Sequence, residues 1–162
     1  MSRSMFVGPY RILRLINQGG QGTVYLGFDD RLQRRVAIKI VRLPADRKSR
    51  RGLLREAKIV ASITSSKVVQ IYDLIVANDH MALIMEYVPG CDLEEFLQNE
   101  EPSLASILAI CIDISGALAA ARQQQIVHGD VKASNILITA EGRVKLTDFG
   151  VARTKENSNL SV

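Results

Sequence analysis

Pro89-Gly90 divides this chain into two stretches with different hydrophobic periods, and that division narrows the choice of folds more than any single residue. Ahead of it, residues 10–16, 23–28, 35–41, 68–76 and 80–87 read as strands, bounded by turn chemistry. One helix interrupts them. Over residues 50–63 the apolar positions Leu53, Leu54, Ala57, Ile59, Val60 and Ile63 recur at helical spacing. Beyond the break, residues 92–97 read as a short helix with an acid at its start, and residues 104–124 as a long one that Ser103 can cap. The long helix carries the stripe Leu104, Ile107, Leu108, Cys111, Ile114, Leu118 and Ala121. Residues 136–139 and 144–146 then flank Ala140-Glu141-Gly142-Arg143 as a hairpin. Strands predominate before Pro89-Gly90 and helices begin the stretch after it, an α+β order with the candidate boundary between residues 1–88 and 89–162.

Charge and cysteine usage exclude several classes of function. The net charge is +4 over 162 residues, and basic residues cluster at 31–35 and 42–55, the second run holding five Arg and one Lys. No aromatic residue interleaves within that run to stack on bases, so a solvated helix face is expected and nucleic acid is not. Cys91 and Cys111 lack metal-ligand or disulfide-framework spacing, which predicts free thiols and a cytoplasmic protein. Residues 1–7 are too short an apolar run for a secretory signal. Residues 104–121 are long and apolar but contain Asp113, Ser115, Gly116 and many alanines, so they predict a buried helix and no membrane segment within this chain.

Chemistry concentrates at three places. Asn17-Gln18-Gly19-Gly20-Gln21-Gly22-Thr23-Val24 joins two strands, and glycines let a backbone approach phosphate oxygens without Cβ interference. No Gly-Lys-Ser/Thr follows, so this is not a Walker A loop; alone it also reads as a plain hairpin turn. Lys39 follows Val36-Ala37-Ile38 in a strand, where a surface lysine is unremarkable, and Glu56 by itself reads equally as a solvated helical charge. His128-Gly129-Asp130-Val131-Lys132-Ala133-Ser134-Asn135 is more specific. With Asp148-Phe149-Gly150 after a short hairpin, it can supply a base and two metal ligands.

In that order, these motifs make the chain resemble the ATP-binding part of a serine/threonine protein kinase of the eukaryotic-like bacterial type. The resemblance spans roughly residues 10–153. It implies a five-stranded antiparallel N-lobe with one helix, over 1–88, and over 89–162 the beginning of a mainly helical C-lobe. It further implies that Asp130 accepts or orients the substrate hydroxyl, Lys132 steadies the transferring phosphate, and Asn135 and Asp148 hold Mg²⁺, with Mn²⁺ an alternative. Lys39 would reach the ATP phosphates and pair with Glu56, while Gly19, Gly20 and Gly22 cover them. Backbone groups of Glu86 and Val88 would meet adenine, with Met85 behind it, Asp92 at the ribose, and Ile16, Val24, Ala37 and Leu137 as walls. Phe149 would pack beneath the helix bearing Glu56. Lys132, two residues after Asp130, points to serine/threonine rather than tyrosine acceptors on a protein substrate. Three departures stand out. Asn17 replaces a glycine, Gly129 replaces the arginine that commonly pairs with a phosphorylated activation loop, and the later C-lobe is absent. A missing C-lobe or a partner is therefore expected to cover the long helix. An ATP-binding scaffold without catalysis, or an inactive fragment, is the rival expectation.

Overall fold

The computed structural model describes residues 5–149. A two-residue strand, β1 (Phe6–Val7), leads into a meander of β2 (Tyr10–Gly19), β3 (Gly22–Asp29) and β4 (Arg34–Arg42). Helix α1 (Arg47–Val60) follows, then β5 (Ile71–Val76) and β6 (His80–Glu86). These strands form one antiparallel sheet in the order β1-β2-β3-β4-β6-β5. The five expected strands are all present, and β1, too short to show a period, makes a sixth. The expected unit boundary at 88/89 falls in the coil between β6 and the next strand.

Strand β4 sets the layering. Val36 and Ile38 point into a small core with Tyr10, Ala82 and Ile84 on one face of the sheet. Ala37 and Val41 point the other way, into the main core with Leu53, Ala57 and Val60 of α1. Lys39 shares that buried parity and is only 5% exposed, an expensive place for an ammonium unless it is paired. α1 starts before its apolar stripe does, because the Asp46 side chain accepts from the Ser49 amide at 2.8 Å and satisfies a donor the helix leaves open.

After the coil that follows β6 come β7 (Gly90–Asp92), α2 (Leu93–Asn99) and α3 (Leu104–Gln123). A 3-10 turn, Ala133–Asn135, leads into β8 (Ile136–Thr139) and β9 (Val144–Leu146). Strands β7, β8 and β9 pair in that order. Asp92 and Ser103 cap the two helices, accepting from Glu95 and Ser106 amides. The Pro89-Gly90 break thus continues into a strand, which only glycine allows: a Cβ on Gly90 would stand 1.9 Å from the Ile138 carbonyl oxygen. Residues 68–70, read as the start of a strand, instead lie against β9. Leu146 donates to the Lys67 carbonyl at 2.8 Å, and Val69 donates to that of Leu146 at 3.0 Å.

The expectation of a buried long helix is not met among the described residues. Only Ala117 and Ala121 of α3 are buried, with Ile110, Ile114 and Leu118 partly covered by the main core. Leu104, Ile107, Leu108 and Ile112 are exposed. By length and composition alone, with mean hydropathy 2.1, α3 is also apolar enough to cross a bilayer.

Candidate active site

The loop of residues 128–135 is organised by a buried imidazole. His128 Nδ1 accepts from the Asp130 amide at 3.2 Å, so the ring proton sits on Nε2 and is donated to the Thr147 carbonyl at 2.9 Å. Burial pushes its pKa below the usual histidine value, which keeps the ring neutral in this arrangement. Its face meets Phe149, with ring centroids 4.5 Å apart. One side chain therefore fixes both the loop bearing Asp130 and the strand end bearing Asp148. Gly129, between them at φ +74°, occupies the left-handed region that a substituted residue enters only with strain.

Two of the expected site residues, Lys132 and Asn135, converge on Asp130. Its Oδ2 lies 3.4 Å from Lys132 Nζ and 3.4 Å from Asn135 Nδ2, which also donates to the Asp130 carbonyl at 2.8 Å. The amide hydrogens of Asn135 are thus committed to Asp130, and its Oδ1 is the atom left to offer a cation. A group that sequence reasoning missed completes the cluster: Gln21, at the tip of the β2–β3 turn, donates to Asp130 Oδ2 at 2.8 Å. Its contact spans 109 residues, so no local pattern announces it.

Lys39 pairs with Asp148, at 2.7 Å between Nζ and Oδ1, rather than with Glu56 as the family resemblance implies. Asp148 has φ +59°, a left-handed turn that aspartate tolerates better than most residues, and there its carboxylate meets the strand bearing Lys39. Glu56 is half-buried on α1 and itself engaged. Phe149 is buried in the main core alongside Leu53 and Ala57 of α1, and Gly150 lies outside the described residues.

Beside this cluster lies a cavity of 280 Å³. The expected walls Ile16, Val24, Ala37 and Leu137 all line it, as do Met85, Glu86, Val88, Asp92 and Asp148. Asp92 serves there while also capping α2. Gly19, Gly20 and Gly22 are not among its lining residues and stand at the turn beyond. Of these, Gly22 is demanded by the fold, since at φ +119° its Cβ would meet the Ile40 carbonyl oxygen at 2.4 Å. Around Gly19 and Gly20 the space is open for 4 Å. Asn135 and Asp148 supply one amide and one carboxylate oxygen donor group. No group of three His, Cys, Asp or Glu suited to a metal occurs among the described residues. Such a sparse, hard-oxygen set suits Mg²⁺, which keeps waters and takes phosphate oxygens as further ligands.

Comparison with known proteins identifies the family. The family model described as "Protein kinase domain" matches residues 10–161. The chain is 41% identical over 157 residues to the serine/threonine-protein kinase PrkC of Bacillus subtilis, covering 95% of this chain and 24% of that protein. It is 38% identical over 155 residues to PknL of Mycobacterium tuberculosis, covering 94% and 39%. It therefore spans well under half the length of these relatives. Among solved structures, a double mutant of the PknI kinase domain of Mycobacterium tuberculosis superposes with TM-score 0.83 at 25% identity, over 96% of this chain and 66% of that one. By its sequence, its fold and the cluster around Asp130, the chain belongs to the protein kinase domain family, and its relatives are serine/threonine kinases.

Proposed function

We propose that this chain is the nucleotide-binding part of a protein serine/threonine kinase that moves the γ-phosphoryl group of Mg·ATP to a protein hydroxyl. The observation that carries the reading is the convergence of Lys132 and Asn135 on Asp130, next to a cavity that ends on Asp148. At 280 Å³ the cavity is near the lower end for small-molecule sites, roughly 300 Å³, and suits a nucleoside whose phosphates extend beneath the β2–β3 turn. Residues 1–88 would act as the lobe above it and residues 89–162 as the start of the lobe below. Free Cys91 and Cys111 fit a reducing, cytoplasmic setting.

In this mechanism adenine lies between Ala37 and Leu137, against the backbone of residues 86–88. Asn135 and Asp148 would hold Mg²⁺, or Mn²⁺ in its place, and the ion would neutralise phosphate charge. Lys39 then exchanges its carboxylate partner for phosphate oxygens. The acceptor hydroxyl takes the place of the Gln21 amide at Asp130, which accepts the hydroxyl proton. The hydroxyl oxygen bonds to the γ-phosphorus as the bridging bond to the β-phosphate breaks, and ADP departs with that electron pair. Lys132, beside Asp130, faces the charge on the transferring group.

The test is transfer of labelled phosphate to a serine-containing acceptor. Asp130→Asn is expected to abolish transfer and to leave ATP affinity within about threefold; wild-type transfer in that variant refutes the assignment. The exposed face of α3 favours one rival, an ATP-binding module without catalysis. Saturable ATP binding with no transfer by the wild type to any acceptor would select it.

A further inference from the structure

We propose that Lys145 is a positioning residue for the nucleotide, acting through Glu86; this rests on the nucleotide reading above. Glu86 ends β6 and lines the cavity. Both of its carboxylate oxygens lie 2.9 Å from Lys145 Nζ. The two side chains are 23% and 18% exposed, so the pair is largely withdrawn from water. Glu86 is held from a third direction as well. Its amide donates to the Gln70 carbonyl at 2.8 Å, and its Oε2 accepts the Gln70 amide at 3.4 Å.

The location of Lys145 gives this contact its meaning. Val144 and Leu146 on either side of it point into the main core, so Lys145 emerges from the opposite face of β9. Across the ladder its register partner is Leu137, a wall of the cavity. Three residues later in the chain stands Asp148. A single ammonium therefore ties the segment above the adenine position to the hairpin that forms the floor and to the strand that delivers the metal-ligand candidate. Backbone hydrogen bonds of residues 67–70 reach Leu146 on one side and Glu86 on the other, and the ammonium adds the direct side-chain link between β9 and the end of β6, which belong to different sheets.

Stability is a poor reason for such a pair. Two largely buried charges lose hydration, and apolar side chains of similar volume commonly hold a structure together as well. What an ion pair adds is direction: it fixes the Glu86 carboxylate against one point on the β8–β9 hairpin. Lys145 lines a second cleft, outside the nucleotide cavity, that also takes in Glu86, and the other charges there are matched: Lys67 pairs with Asp113 at 2.8 Å and Arg143 with Glu141 at 3.4 Å. Lys145 is thus specific to Glu86.

The experiment measures binding of Mg·ATP and of adenosine by fluorescence displacement in the wild type, Lys145→Met, Lys145→Arg and the exchange Glu86→Lys/Lys145→Glu. Lys145→Met is expected to weaken both ligands by the same factor, about tenfold, because misplacement of the segment acts on the adenine end. Lys145→Arg and the exchange should recover most of that loss. Unchanged affinity in Lys145→Met overturns the proposal, and so does a loss that neither Lys145→Arg nor the exchange repairs. A loss confined to Mg·ATP overturns it too, since that places the defect at the phosphates. A wild type that binds neither ligand refutes the nucleotide reading itself. If Lys145→Met does not fold, Glu86→Gln tests the same pair from its other side, with the same expected loss.

Discussion

Lys39→Met tests how the candidate site is held before any ligand arrives. Methionine preserves the apolar stem in the main core, so the change removes the ammonium and little packing. Asp148 loses the partner 2.7 Å away, yet its side chain is 22% exposed and can turn toward water. Breaking a fully buried pair costs about 3–5 kcal/mol, and discounting for that exposure leaves about 1–3 kcal/mol. For a chain of this size that corresponds to a melting shift of roughly 3–10 °C. The assay is urea unfolding without nucleotide or divalent cation, run as a cycle with Asp148→Asn. The double variant should be more stable than the sum of the two losses predicts, with a coupling of about 1–2 kcal/mol. Additive losses, or a Lys39→Met variant as stable as the wild type, refute the view that this pair holds Asp148 against β4. A coupling found with Glu56→Gln instead would move the structural role to that residue.

Removing the Gln21 amide frees Asp130 for an acceptor hydroxyl, so Gln21→Ala should raise kcat/KM for the acceptor by about 2–10-fold; a tenfold fall would make Gln21 a positioning group instead. Gly22→Ala should lose about 2 kcal/mol or more in thermal unfolding because its new Cβ meets the Ile40 carbonyl. Gly20→Ala should keep its stability within about 0.5 kcal/mol and weaken ATP binding; equal stability losses at the two positions would contradict this division. For His128, whose folded pKa lies below the unfolded value of about 6.5, the unfolded chain binds the extra proton first. Stability is then full above that pH and declines as pH falls from it toward the lower folded value. Melting curves from pH 7.5 to 5 should show a shallower acid slope in His128→Gln, and an unchanged slope would refute the buried neutral ring.

What could be read from the chain alone was what neighbours in sequence decide. Apolar runs bounded by turn residues marked β4 and β6, and β8 and β9 begin and end where the hairpin chemistry places them. Strand β1 escaped because two residues have no period, and the true start of α1 lay in the side chain of Asp46 rather than in the apolar stripe. The partner of Lys39 was misassigned for a different reason. Asp148 is 109 residues away, and only the turn at its own backbone brings the two together. Gln21 against Asp130, 109 residues apart, and Lys145 against Glu86, 59 apart, are likewise pairings no local pattern announces. The α3 stripe was visible, but apolar spacing reports that a face wants cover and cannot say which segment supplies it.

Two glycines of this chain should have opposite evolutionary fates. At Gly90, every codon change that adds a side chain drives it into the backbone of β8, so drift there is closed whatever the surrounding sequence does. Gly52 lies exposed within α1 with nothing within 4 Å of its absent Cβ, and alanine there should stabilise the helix by about 1 kcal/mol. Selection on the spacing between the paired strands β7 and β8 is thus concentrated in one residue that contributes no side-chain chemistry at all.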